Sequence, residues 1–112
     1  MTLKDVVEKL GLRVMTVKTA LDPEVTGAYA GDLLSDVMAN ARPGNLWITM
    51  QTHQNVLAVA QIKDLAAIVL VNGRKPDAET LQKADQENVT ILGTDQPAFG
   101  ISGQLYRLLA EP

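Results

Sequence analysis

Three short segments of this sequence carry residues able to meet a ligand: Thr52-His53, Asn72-Gly73-Arg74 and Thr94-Asp95. Each follows an apolar run that reads as a strand, and open α/β sheets bind ligands outside the carboxyl ends of their strands. Arg74, with Lys75 beside it, would greet a phosphate or carboxylate at a strand's C-terminal edge. The same residues have plainer readings. His53 can be a solvated loop histidine near a helix cap, Arg74 and Lys75 solvated turn cations, and Thr94-Asp95 a helix-capping pair.

Covalent and metal chemistry find less support. His53 is the sole histidine, so neither a histidine-based triad nor a multi-histidine metal site can be built within one chain. Cysteine is absent, which removes disulfides, thiolate nucleophiles and thiolate-held iron–sulfur clusters. The aspartates and glutamates sit at expected helix caps and exposed faces, and no pair of them is placed for acid–base work. No cofactor and no enzymatic activity are expected. Gly27-Ala28-Tyr29-Ala30-Gly31-Asp32 is a small-residue turn entering a helix, where backbone N–H groups can cradle an anion. It lacks the lysine and hydroxyl of a Walker loop, and Asp32 is the expected N-cap, so a capped, closely packed helix start is the favoured reading.

The elements that position these residues follow from apolar periodicity. Thr2-Leu3-Lys4-Asp5 has the form of a capping box, and Leu3, Val6, Val7 and Leu10 share one helical face before Gly11 stops it. Leu12 to Val17 alternates like a half-buried strand. Val25 to Tyr29 suggests a brief strand, and Leu33, Leu34, Val37, Met38 and Ala41 a helix beginning at Asp32 and ended by Pro43-Gly44. Leu46 to Met50 reads as a strand carrying the one tryptophan, Trp47, and Asn55 to Ile62 as a helix apolar around most of its circumference. A helix of that kind is covered on more than one side, either deep in the domain or at a second subunit.

From Leu65 onward one pattern is written twice. Ala66 to Val71 meets Asn72-Gly73 and a helix start at Pro76-Asp77; Val89 to Leu92 meets Gly93 and a helix start at Thr94 to Pro97. The last helix, Gln96 to Ala110, is expected to bury Ile101, Leu105, Leu108 and Phe99. Gly100 and Gly103 sit inside it, each costing about 1 kcal/mol relative to alanine. Alternation of strand and helix predicts one α/β domain over residues 1–112, an α/β/α layered arrangement with a central, mostly parallel or mixed sheet of about five strands.

A net charge of −3 with scattered cations gives little reason to bind nucleic acid. No apolar run approaches a membrane span, and the N-terminal residues lack the apolar core of a signal peptide. A cytoplasmic protein is expected.

Residues 27–109 resemble a DRTGG domain through Gly31 to Met38, Gly44 to Thr49, and Ala67 to Gly73 followed by Pro76-Asp77. Leu3 to Leu12 is similar to the start of the related N-terminal domain of HPr kinase/phosphorylase. The resemblance implies a layered α/β fold and a role in regulation and subunit contact, as in the accessory domains of some phosphotransacetylases and beside the CBS domains of some pyrophosphatases. Similar free-standing members are often encoded near iron-hydrogenase-like and histidine-kinase-like proteins, which implies such a partner. The naming motif is degenerate: its Asp-Arg pair falls on Thr52-His53 and its Thr-Gly-Gly on Val71-Asn72-Gly73, leaving only Gly73. The phosphate-binding loop of the kinase is missing, so kinase activity is rejected. Three expectations follow: a non-enzymatic regulatory module that self-associates as a homodimer; a small-ligand (nucleotide or anion) receptor at Thr52, His53, Asn72, Gly73, Arg74, Thr94 and Asp95; or an accessory part of a hydrogenase complex.

Overall fold

The computed structural model describes residues 1–110; the expected domain runs on to Pro112, and Glu111 and Pro112 lie outside the described residues. Helix α1 (Leu3–Leu10) opens on the capping box: Asp5 N donates to Thr2 Oγ1 at 3.2 Å and Thr2 N to Asp5 Oδ2 at 3.0 Å. Gly11, at φ 63°, closes it in the left-handed conformation that glycine adopts without steric cost. There follow β1 (Arg13–Val14), β2 (Gly27–Ala30), α2 (Leu34–Asn40), β3 (Asn45–Thr49), α3 (Asn55–Ile62), β4 (Ala67–Leu70), α4 (Ala78–Gln86), β5 (Ile91–Gly93) and α5 (Ala98–Ala110).

The sheet has five strands, as the alternation predicts, and their order is β1-β5-β4-β3-β2. Strands β2 to β5 are parallel neighbours, and β1 is antiparallel to β5 with Arg13 opposite Gly93. Three crossovers stepping the same way along a sheet leave their helices on one face. Accordingly α2, α3 and α4 cover one face, and α1 and α5 the other. Period-two alternation divides the strands between two cores: Leu46, Ile48, Val69 and Leu92 pack with α1 and α5, while Trp47, Ile68, Leu70 and Ile91 pack with α2, α3 and α4. A parallel sheet covered on both faces needs continuous apolar strands, which the runs before Asn72 and Gly93 supply.

The structure corrects several local expectations. Asp32 is not the cap of α2: Leu33 holds that position, without a side-chain cap, and the helix begins at Leu34. The glycine-bearing segment before it is strand β2 rather than a turn. Strand β1 is only two residues long: Met15 N still pairs with Ile91 O, but Ile91 N donates to the Thr16 hydroxyl at 3.3 Å, and the chain then leaves the sheet. Its departure is held by Asp85, which accepts from Val17 N and Lys18 N at 2.9 and 2.7 Å. Helix α3 buries Val56, Leu57, Val59 and Ala60 but leaves Ile62 68% exposed, so its apolar excess is only partly covered. Helix α5 starts at Ala98 rather than Gln96, buries Ile101 and Leu105, and leaves Phe99 92% exposed, because Phe99 lies on the side of the helix away from the sheet.

Candidate functional site

Parallel strands β3, β4 and β5 end together, so the loops that follow them share one edge of the sheet. All the residues predicted to bind a ligand lie on these three loops. The loop after β3 is tied down by Asp32, whose Oδ1 accepts from Thr49 Oγ1 at 2.7 Å and from Met50 N at 2.8 Å. Gln51 Nε2 donates back to Asp32 O at 2.9 Å. Thr52 is half-buried there and His53 is exposed. His53 Nδ1 accepts from Asn55 N at 3.2 Å, which makes it part of the start of α3.

After β4 the chain turns through two successive left-handed residues, Asn72 (φ 57°) and Gly73 (φ 67°). A concave run of backbone N–H groups of this kind can hold an anion. Here both donors are already used: Asn72 N reaches Gln96 O and Gly73 N reaches Thr94 O, each at 2.9 Å. Those bonds join the β4 and β5 loops. A Cβ on Gly73 would lie 3.2 Å from Asp95 Oδ1, so the glycine is also what lets the two loops meet closely. The buried Thr94 accepts from Gln96 N at 3.2 Å through its hydroxyl, and Asp95 accepts from Arg13 Nη2 at 3.1 Å.

The structure therefore gathers Asn72, Gly73, Thr94 and Asp95 into one group and sets Thr52 and His53 along the edge in a second. Arg74 follows the first group, exposed, with Lys75 beside it. Asp77 caps α4, accepting from Thr80 N at 2.7 Å. That bond holds its carboxyl below the usual aspartate range, with a smaller contribution from the nearby His53. Sequence reasoning missed Arg13 and the tie made by Asp32. Arg13 arrives from the far end of the chain by antiparallel pairing, which no local signal announces. At this edge the exposed cations Arg74 and Lys75 stand near carboxylates that hold the protein's own loops. Among the described residues no group of three or more His, Cys, Asp or Glu side chains is placed to hold a metal ion. Nor is any of their helices long and apolar enough to cross a membrane.

Two shallow grooves flank α5 instead. One, of about 440 Å³, runs between α1 and α5 past Lys9, Leu10, Phe99 and Arg107. The other, of about 390 Å³, lies between α5 and the β2 edge past Ala28, Ile48, Tyr106 and Leu109.

No protein-family model matches this sequence, and no curated protein matches it. Among solved structures the chain is similar to the CBS and DRTGG domains of the regulatory region of Clostridium perfringens pyrophosphatase, complexed with its activator diadenosine tetraphosphate. The TM-score is 0.66 at 13% sequence identity, over 93% of this chain and 45% of that one. This chain thus spans less than half of the structure it resembles. At that identity the likeness is one of fold, and the fold is one found in a regulatory region.

Proposed function

We propose that this chain is a non-enzymatic regulatory domain of the DRTGG type that works by associating with a second copy of itself. The observation that carries the reading is how its side chains are used. Asp32, Asp77 and Asp95, the carboxylates at the edge where a reaction would run, each hold the protein's own backbone or a neighbouring side chain. Exposed apolar side chains lie on several elements, Val17, Leu33 and Ile62 among them, and α5 carries two large aromatics, Phe99 and Tyr106, 92% and 80% exposed and seven residues apart on one helical face. Exposed apolar patches of this kind mark interaction sites. The likeness to a regulatory region supports the same reading. Light scattering across micromolar concentrations tests it. A dimeric mass is the expected result, and a strictly monomeric one overturns it.

A second reading is favoured by the meeting of the β4 and β5 loops at Gly73 and Asp95, with Arg13 and Arg74 beside them. There the domain would hold an anionic metabolite such as a nucleotide, the class to which the activator bound by the similar structure belongs. Ligand at a hundred times its Kd raises stability by about 2.7 kcal/mol. Diadenosine tetraphosphate and ATP are therefore expected to raise the melting temperature, less so in Arg74→Ala and His53→Ala. No shift with either, and no difference between variants and wild type, sinks this reading.

A further inference from the structure

Helix α5 turns Ile101 and Leu105 to the sheet and presents Phe99, Gly103, Tyr106 and Arg107 to solvent. We propose that this outer face docks against the same face of a second copy, the two helices running antiparallel and crossing at Gly103. The inference rests on the self-association reading above and assigns its surface.

Gly103 is the first ground. Apart from its chain neighbours and the backbone of its own helix, no atom of the described residues lies within 4 Å of where its Cβ would stand, and its φ is not in the left-handed range. Alanine would therefore fit and would favour the helix. Nothing inside the domain uses the glycine's smallness, whereas a neighbouring backbone crossing at that point would.

Register is the second. A two-fold axis through an antiparallel crossing at Gly103 pairs positions equally far on either side of it. Phe99, four residues before, then meets the partner's Arg107, four residues after. Gly100 meets the partner's Tyr106, three residues after. Each guanidinium is set against an aromatic face, twice by symmetry, which is an attractive pairing. A parallel crossing would instead set Arg107 against its own copy.

Area is the third. Aromatic side chains bury roughly 150–250 Å² each, so four of them supply roughly 600–1,000 Å². Gln104, Ala110 and the groove beside Lys9 and Leu10 add to this, bringing the contact towards the roughly 1,200 Å² at which specific interfaces begin.

The test is analytical ultracentrifugation of the wild-type chain, the double variant Phe99→Ala/Tyr106→Ala, and Arg107→Glu, with circular dichroism confirming that each is folded. The wild type is expected to be dimeric, and both variants to weaken the dimer roughly tenfold or more. Because the chain has no cysteine, Gly103→Cys is expected to give a disulfide-linked dimer on mild oxidation. A wild-type dimer that both variants leave intact, without cross-linking through position 103, overturns the surface and leaves self-association standing. A monomeric wild type overturns both. A monomer that instead pellets with phosphatidylcholine/phosphatidylserine vesicles assigns the face to lipid and overturns the proposal equally.

Discussion

Arg13 donates through Nη2 to Asp95 Oδ1 at 3.1 Å, linking the edge strand β1 to a loop 82 positions later. The antiparallel register explains the meeting: Arg13 stands opposite Gly93, and Asp95 lies two residues further on. Both side chains are substantially exposed, so the pair contributes only about 0.2–1 kcal/mol. Asp95→Asn is therefore expected to change the urea midpoint little. Its greater effect is to release the Arg13 guanidinium and remove a negative charge at the sheet edge. If the edge takes an anion, titration at low salt should show the variant binding diadenosine tetraphosphate more tightly than wild type. Weaker binding would make the carboxylate itself a contact.

Asp32 and Thr49 form the tie that replaces the expected helix cap. Asp32 Oδ1 accepts from both Thr49 Oγ1 and Met50 N, joining the end of β2 to the end of β3. Hydrogen bonds to a charged acceptor contribute about 1.5–3 kcal/mol. Asp32→Ala should destabilise by about that amount and Thr49→Val by somewhat less. A double-mutant cycle should show coupling of about 0.5 kcal/mol or more. Additive losses would mean that Asp32 acts through its bond from Met50 N rather than through Thr49.

Much of this fold is legible in the residue order because its strands are apolar throughout. Ala67–Leu70 and Ile91–Gly93 are buried on both faces, and such strands announce themselves by composition. The caps at Thr2 and Asp77 are equally local. The misses share one cause. Asp32 resembles an N-cap, and a long-range hydrogen bond to β3 wins it. Phe99 falls in an apolar helix, and only the packed structure shows which side of α5 meets the sheet. For the candidate site, the three loops follow from strand order, yet the Asn72–Gly73 amides prove to be spent on the β5 loop. Arg13 joins the group through pairing that has no local sequence signature.

Trp47 tests the core on the α2–α4 face. It is fully buried, and its Nε1 donates to Gly31 O at 2.8 Å, so the ring both fills the core and pins the turn after β2. Trp47→Ala is expected to cost about 3–5 kcal/mol, a large part of a small domain's stability. Trp47→Phe keeps most of the packing but leaves the Gly31 carbonyl without its indole donor, and should lose less. Wild-type emission should be blue-shifted and quenched little by acrylamide. Ready quenching would contradict the burial.

Stability should fall at both extremes of pH, for opposite reasons. The carboxyls of Asp5 and Asp77 are held below the usual value of 3.8, chiefly by backbone hydrogen bonds from their own helix starts. The unfolded chain binds protons on these groups at a higher pH than the folded one does. Their stabilisation is therefore complete above that value and is lost as pH falls through the depressed folded pKa. Tyr29 is the reverse case: its hydroxyl donates to Asp36, which raises its pKa above the usual 10.0. That stabilisation is complete below the unfolded value and is lost as pH rises through the folded one. Urea midpoints measured against pH should show an acid limb that flattens in Asp5→Asn/Asp77→Asn, because asparagine keeps the acceptor oxygen without titrating. The alkaline limb should flatten in Tyr29→Phe alone. An acid limb unchanged in the double variant would shift the acid sensitivity from the two helix caps to other carboxylates.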